Sequence, residues 1–210
     1  MKKNLFRLFA LLFVATFIFT ACSCIEIELI PPPNQTDEGV EINGVVWATR
    51  NVDAPGTFAD NPEDAGKFFQ WNRRQGWSAT GEVMDWDSSK IEGIEWKREN
   101  DPCPPGWRVP TADELYSLLD SDRGWMVRNS IKGRLFGTYS YQIFLPAVGF
   151  RYWEDGSLHG VGTAGSYSRS TQQYNTIWFV ENLWLDSSSL VVMGLTFRAN
   201  GQSVRCVAID

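Results

Sequence analysis

Residues 101–115, DPCPPGWRVPTADEL, set one cysteine among four prolines and run straight into a helix start. Each proline fixes its own φ near −65° and removes a backbone donor, so Cys103 sits in a stiff turn that holds its thiol in one direction. Such a cysteine constrains the fold strongly once its partner is named. The chain has four cysteines. Cys22 and Cys24 fall near the N-terminus, which leaves Cys206 in GQSVRCVAID, an expected terminal strand. In an oxidising compartment the expected state is a Cys103–Cys206 disulfide. A closed loop of about 100 residues carries roughly 4.7 kcal/mol in the chain-entropy account. The alternative is two buried free thiols. The same stretch predicts a short amphipathic helix. Thr111 and Glu114 have the T-x-x-E spacing of a capping box, Leu115, Leu118 and Leu119 form one apolar stripe, and Gly124 is the expected stop.

The N-terminus, MKKNLFRLFALLFVATFIFTAC, begins with Lys2, Lys3 and Arg7, continues as an apolar run over residues 8–19, and reaches Cys22 through small residues. That is the anatomy of a secretory signal peptide. The run is shorter than the roughly 20 apolar residues a membrane helix needs. A cysteine directly after the small residues makes it look like a bacterial lipoprotein signal, so residues 1–21 are expected to be removed and Cys22 to carry lipid. Losing three basic residues and no acidic one takes the net charge from −6 to −9. An acidic chain gains nothing from an anionic membrane surface, so the lipid is the expected anchor. Residues 22–40 read as a tether, with Pro31, Pro32 and Pro33 favouring an extended spacer. IEIEL at 25–29 has strand alternation instead, and no role follows for Cys24. The acidic residues soon after Cys22 resemble the surface-export signals of Bacteroidetes-type lipoproteins, which implies an outer-membrane protein facing outward.

Residues 41–210 read as one α+β domain, mainly antiparallel, with one or two short helices. Strands are expected in GVVWATRNV (44–52), GKFFQWNR (66–73), YQIFLPAVGF (141–150), NTIWFVENLWL (175–185), SLVVMGLTFRA (189–199) and SVRCVAI (203–209). Asn200-Gly201 has the chemistry of a type I′ hairpin turn, and residues 121–132 suggest a second short helix or a loop. Ten tryptophans point to an aromatic-rich core or a binding surface; Trp47, Trp71, Trp107 and Trp178 are expected to cover the core.

These pieces resemble the Fibrobacter succinogenes major paralogous domain family of bacterial lipoproteins. The resemblance rests on Gly44-Val45-Val46-Trp47 with Asn51-Val52, GKFFQWNR, NDPCPPGWRVPTADEL, LPAVGFRYWEDGSL, GSYSRST and GQSVRCVAID, in family order over most of residues 41–210. One departure is Tyr167-Ser168-Arg169-Ser170, where the family often has a tryptophan-rich WSS. RVPTADE and the late VRC also look like formylglycine-generating enzymes and, more distantly, C-type lectins, which implies a C-type-lectin-like fold. Fold alone does not carry function.

No basic stripe is present, which excludes an electrostatic footing for nucleic acid. The cysteine pair that binds copper in formylglycine-generating enzymes is absent, since only Cys206 lies near the C-terminus. There is no G-x-S-x-G elbow, and the single histidine, His159, makes histidine catalysis rest on Asp155 and His159 in a Gly-rich turn. DWDSSKIEGIEW (85–96) has acids at two calcium-loop positions, but Lys90 and Trp96 stand where Gly and Glu are needed. No cofactor and no metal are expected, and the expectation is a non-enzyme. What remains is recognition of a glycan or a surface protein. Trp153, beside Glu154 and Asp155 and near His159, is the leading candidate, with Trp77 and Trp86 in an irregular insert. The alternatives are an enzyme or accessory acting on glycans, and a structural part of a surface assembly such as a pilus.

Overall fold

The computed structural model describes residues 36–172, 176–188 and 191–209; the leader, Cys22, Cys24 and IEIEL lie outside them. The domain opens on β1 (Val40–Ile42) and β2 (Val45–Trp47). Three short strands follow: β3 (Phe68–Phe69), β4 (Gly76–Trp77) and β5 (Trp107–Arg108). After α1 (Ala112–Leu119) come β6 (Asp122–Arg128), β7 (Ile131–Thr138) and β8 (Tyr141–Pro146). The chain then forms β9 (Phe150–Arg151), β10 (Leu158–His159), β11 (Ala164–Tyr167), β12 (Phe179–Asp186), β13 (Val191–Phe197) and β14 (Val207–Ala208). The strands group as β1-β2-β14-β5, β6-β7-β8 and β11-β12-β13, with β3-β4 and β9-β10 as separate pairs. Among the described residues the architecture is mostly antiparallel sheet with one short α-helix.

The helix forms for the reasons its sequence gives. Thr111 Oγ1 accepts from the Glu114 N–H while Glu114 reaches back to the Thr111 N–H at 2.7 Å, so two orphan donors are satisfied at once. Arg108 grips the same carboxylate with two nitrogens, at 2.8 and 2.6 Å. Leu115 and Leu118 are buried in a cluster with Trp47, Phe136, Ile143, Leu183 and Val207. A second cluster gathers Val52, Phe58, Phe69, Trp71, Trp96, Val204 and the Cys103–Cys206 disulfide, which closes as expected. Asp37, within the stretch read as tether, is already tied in: its carboxylate accepts from the Gly39 and Thr49 N–H groups and pairs with Arg50.

The segment from Arg198 to Val207 departs from expectation. Asn200 and Gly201 do not take positive φ, and no hairpin joins β13 to β14. The chain instead threads the interior as a strap. It bridges Gln202 to Phe69, Gly201 to Arg151 and Ser203 to Tyr167, then delivers Val207 between β2 and β5. Gly201 is needed for close approach: a Cβ there would lie 3.1 Å from both Arg151 and Trp86. The Asn-Gly turn that does form is Asn43-Gly44, φ +53° and +80°, between β1 and β2. Residues 121–132 are strand, not helix, and β6 turns into β7 at Asn129-Ser130, both at positive φ. Gly124 does not stop α1; it sits at an irregularity in β6, and the helix ends at Leu119 with Asp120 as its C-cap. Trp178 is 42% exposed and does not cover the core, whereas Trp47 and Trp71 are fully buried.

The strap is held by Arg205. Its guanidinium is buried, donates to Asn51 Oδ1 at 2.8 and 3.0 Å, and reaches the carbonyls of Phe144 at 3.1 Å and Ala48 at 3.3 Å. Burial pushes its pKa down to about 10, so it stays charged at neutral pH. Arg205→Met leaves these acceptors buried without donors and is expected to lower unfolding free energy by roughly 3 kcal/mol or more, measured by urea titration.

Burial alone raises the Glu114 carboxyl, but Arg108 and the Thr111 bonds outweigh it and hold the group below the usual carboxylate range. A depressed folded pKa stabilises at pH above the unfolded value and is lost as the group protonates. Glu114→Gln is therefore expected to cost about 1 kcal/mol at pH 7. The gap to the parent closes as pH falls below the ordinary value of 4.5, checked by thermal melts across pH.

Candidate functional site, an aromatic cleft

The β9-β10 pair aims its two faces differently. Leu158 opposes Arg151 and His159 opposes Phe150. Arg151 points inward, fully buried, and donates to four main-chain carbonyls: Ser78 at 2.7 Å, Gly156 at 2.5 Å, Gly81 at 3.0 Å and Thr80 at 3.1 Å. One side chain thereby clamps the insert after β4 against the turn that carries Trp153. Trp86 adds a second tie, its indole N–H donating to the Trp153 carbonyl at 2.9 Å, and its ring lies 4.8 Å from Trp77. Gly156, at φ +72°, admits that contact, since a Cβ there would meet the Trp86 ring at 2.7 Å.

Phe150, on the other face, begins a chain of rings. Trp184 lies 5.8 Å from Phe150, Phe150 5.7 Å from His159, and His159 5.4 Å from Tyr152. Tyr152 continues at 5.9 Å to Trp153, Trp153 at 4.9 Å to Phe197, and Phe197 at 4.7 Å to Phe179. These seven rings bend around a cleft of 370 Å³ that Phe150, Tyr152, Phe179, Trp184 and Phe197 line directly. The volume is that of a small-ligand site.

The floor is polar and uncharged. Asn182, buried on β12, donates to Ser166 Oγ at 2.6 Å, and that hydroxyl donates to Gln202 at 3.0 Å. Gly194, opposite Asn182 on β13, keeps the floor open, since a Cβ there would lie 3.1 Å from Asn182 Oδ1. Asn200 donates to Thr196 Oγ1 at 2.6 Å, while its buried Oδ1 has no donor among the described residues. An unpaired buried acceptor costs about 1–3 kcal/mol, which a ligand hydroxyl or N–H can recover. No carboxylate, lysine, arginine or histidine lines this cleft among the described residues. A larger depression of 510 Å³, bordered by Asp53, Asp60, Asp64 and Lys67, has Phe58 as its one aromatic, and that ring is already buried.

The residues selected from sequence thus come together, with different roles. Trp153, Trp77 and Trp86 are half-buried supports behind the wall, and the neighbouring Tyr152 faces the cleft. His159 is exposed on the rim. Glu154 and Asp155 are exposed on the turn, away from the cleft lining. Asp155 accepts from the Ser157 hydroxyl at 2.6 Å and its N–H at 2.9 Å, which holds its carboxyl below the usual range. Ser157 also meets His159 Nε2 at 2.9 Å. The serine lies between acid and imidazole with its proton on the acid side, so His159 is not placed as its base. Phe150, Phe179, Trp184, Phe197, Asn182 and Asn200 are not among the candidate binding residues read from the sequence. The available signal is the polar pair Glu181-Asn182 within the otherwise apolar FVENLWL strand.

No protein-family model, curated protein or solved structure matches the chain.

Because Trp153 supports the wall from behind, Trp153→Ala is expected to cost about 2 kcal/mol, below the roughly 3–5 of a fully buried ring. His159→Ala on the rim should cost less than about 1 kcal/mol. Urea titrations of the two variants check the order.

Proposed function

We propose that the chain is a lipid-anchored protein of the outer membrane, exposed at the cell surface, whose single domain captures uncharged carbohydrate without transforming it. The observation that carries this reading is the bend of aromatic rings around a floor of buried asparagines with no charge in the lining. Aromatic faces stack on the apolar faces of sugar rings, and amides read their hydroxyls. The reading keeps the domain in the Fibrobacter succinogenes major paralogous family with a C-type-lectin-like fold. Its support is the bridge from a cysteine before the helix to one beside the last strand, with the first and last strands in one sheet.

A glycan array probed with the full-length chain in detergent tests the proposal. Specific binding is expected to survive chelation of calcium, because no carboxylate lines the cleft. Tyr152→Ala should weaken it roughly tenfold or more, a loss of about 1.4 kcal/mol, with the chain still folded and melting cooperatively. A blank array, or binding indifferent to Tyr152, overturns the proposal.

A further inference from the structure

Asn182 lines the aromatic cleft, yet its side chain is held from the other direction and the residue is 2% exposed. Its Nδ2 donates to Ser166 Oγ at 2.6 Å, and the one proton of that hydroxyl goes to Gln202 Oε1 at 3.0 Å. Ser166 and Gln202 are both buried, so the relay is closed to water. It leaves the Asn182 carbonyl oxygen on the side of Gly194, where an added Cβ would lie 3.1 Å from it. Gly194 is the register partner of Asn182 and also lines the cleft. Among the described residues, the bond to Ser166 is the one side-chain hydrogen bond of Asn182. Its oxygen therefore stands in the cleft as a fixed acceptor, uncovered because its neighbour across the ladder has no side chain.

The walls have the opposite character. Phe150 and Tyr152 reach the space from β9 and the residue after it, while Phe179 and Phe197, register partners, reach it from β12 and β13. A ligand seated among rings from two separate elements is best matched when both of its faces are apolar. It must also offer a hydroxyl at its edge for Asn182. A pyranose whose substituents are all equatorial meets both conditions, because its C–H bonds cover the two faces and its hydroxyls radiate from the rim. A single axial hydroxyl would instead point at an aromatic wall, and a hydroxyl buried there without a partner is costly.

We propose that the cleft selects neutral pyranose chains with all-equatorial rings, gripped by their faces, with Asn182 Oδ1 accepting from a rim hydroxyl. The inference rests on the carbohydrate reading of the cleft and names the sugar class within it.

The test titrates the full-length chain in detergent, by calorimetry, with four tetrasaccharides. Cellotetraose and xylotetraose have all-equatorial rings, mannotetraose of the β-1,4 series adds an axial hydroxyl at C2, and maltotetraose carries an axial bond at C1. The first two are expected to bind at least tenfold more tightly than the last two. Gly194→Ala, which covers the Asn182 oxygen, should weaken cellotetraose binding at least tenfold in a chain that still melts cooperatively. Equal affinity for all four in the parent chain, or tighter binding of either axial series, overturns the proposal and leaves the carbohydrate reading intact. Undiminished binding by folded Gly194→Ala also overturns it, and should that variant not fold, the parent-chain panel decides alone. No binding of any saccharide overturns both readings.

Discussion

Everything in this domain hangs on donors that arginine carries into the interior. Many of its strands are only two or three residues long, so much of the backbone lies outside any ladder, and its carbonyls still need partners once buried. Arginine presents five donors in a rigid fork and remains charged when buried. Arg205 joins Asn51 to the carbonyls of Ala48 and Phe144. Arg151 takes four carbonyls from the insert and the β9-β10 turn. Arg198 takes the Ile91 carbonyl, contacts Gln172 and lies over the Trp71 ring at 4.4 Å. Two of these three come from the strap, which the disulfide fixes at Cys206. The strap is thus both a structural centre and the point where the β3, β9 and β11 regions meet.

That centre explains the cleft. Arg151 faces inward to hold the insert, and strand alternation turns its neighbours Phe150 and Tyr152 toward the other side. Gly201 lets Arg151 and Trp86 close on the strap, and Asn200, one residue earlier, contributes to the polar floor. The aromatic wall is therefore held by side chains that never touch its open space, and the tryptophans behind it act by packing. An acceptor left unpaired on such a floor is a feature that a binding site can use and a stable core rarely keeps.

Features decided by local chemistry were legible in the sequence. The capping box needs two residues at fixed spacing, and the disulfide needed compartment reasoning and a process of elimination. Features decided by tertiary contact were not. Asn43-Gly44 and Asn200-Gly201 are the same dipeptide, yet only the first makes the tight turn, because the second is drawn into the interior by Phe69 and Arg151. Trp178 and Trp153 exchanged expected exposures for a related reason: short strands give no long periodicity from which a buried face can be read. The buried arginines were the least legible, since a charged side chain ordinarily reads as surface. The cleft was visible in part, as Trp153 and His159 lie in its ring chain, but Phe179 and Phe197 join only through the pairing of β12 with β13.

Native-state hydrogen exchange tests the central claim most directly. The amides of Ala48, Val52, Phe69, Gln202 and Ser203 all bond to or from the strap. They are expected to exchange only through global unfolding, with opening free energies equal to the full stability from urea titration. The Val127 and Lys132 amides, in the β6-β7 hairpin at a sheet edge, should exchange sooner through local opening. Strap amides that exchange as fast as the hairpin, with the disulfide intact, would contradict the account and move the centre of the fold elsewhere.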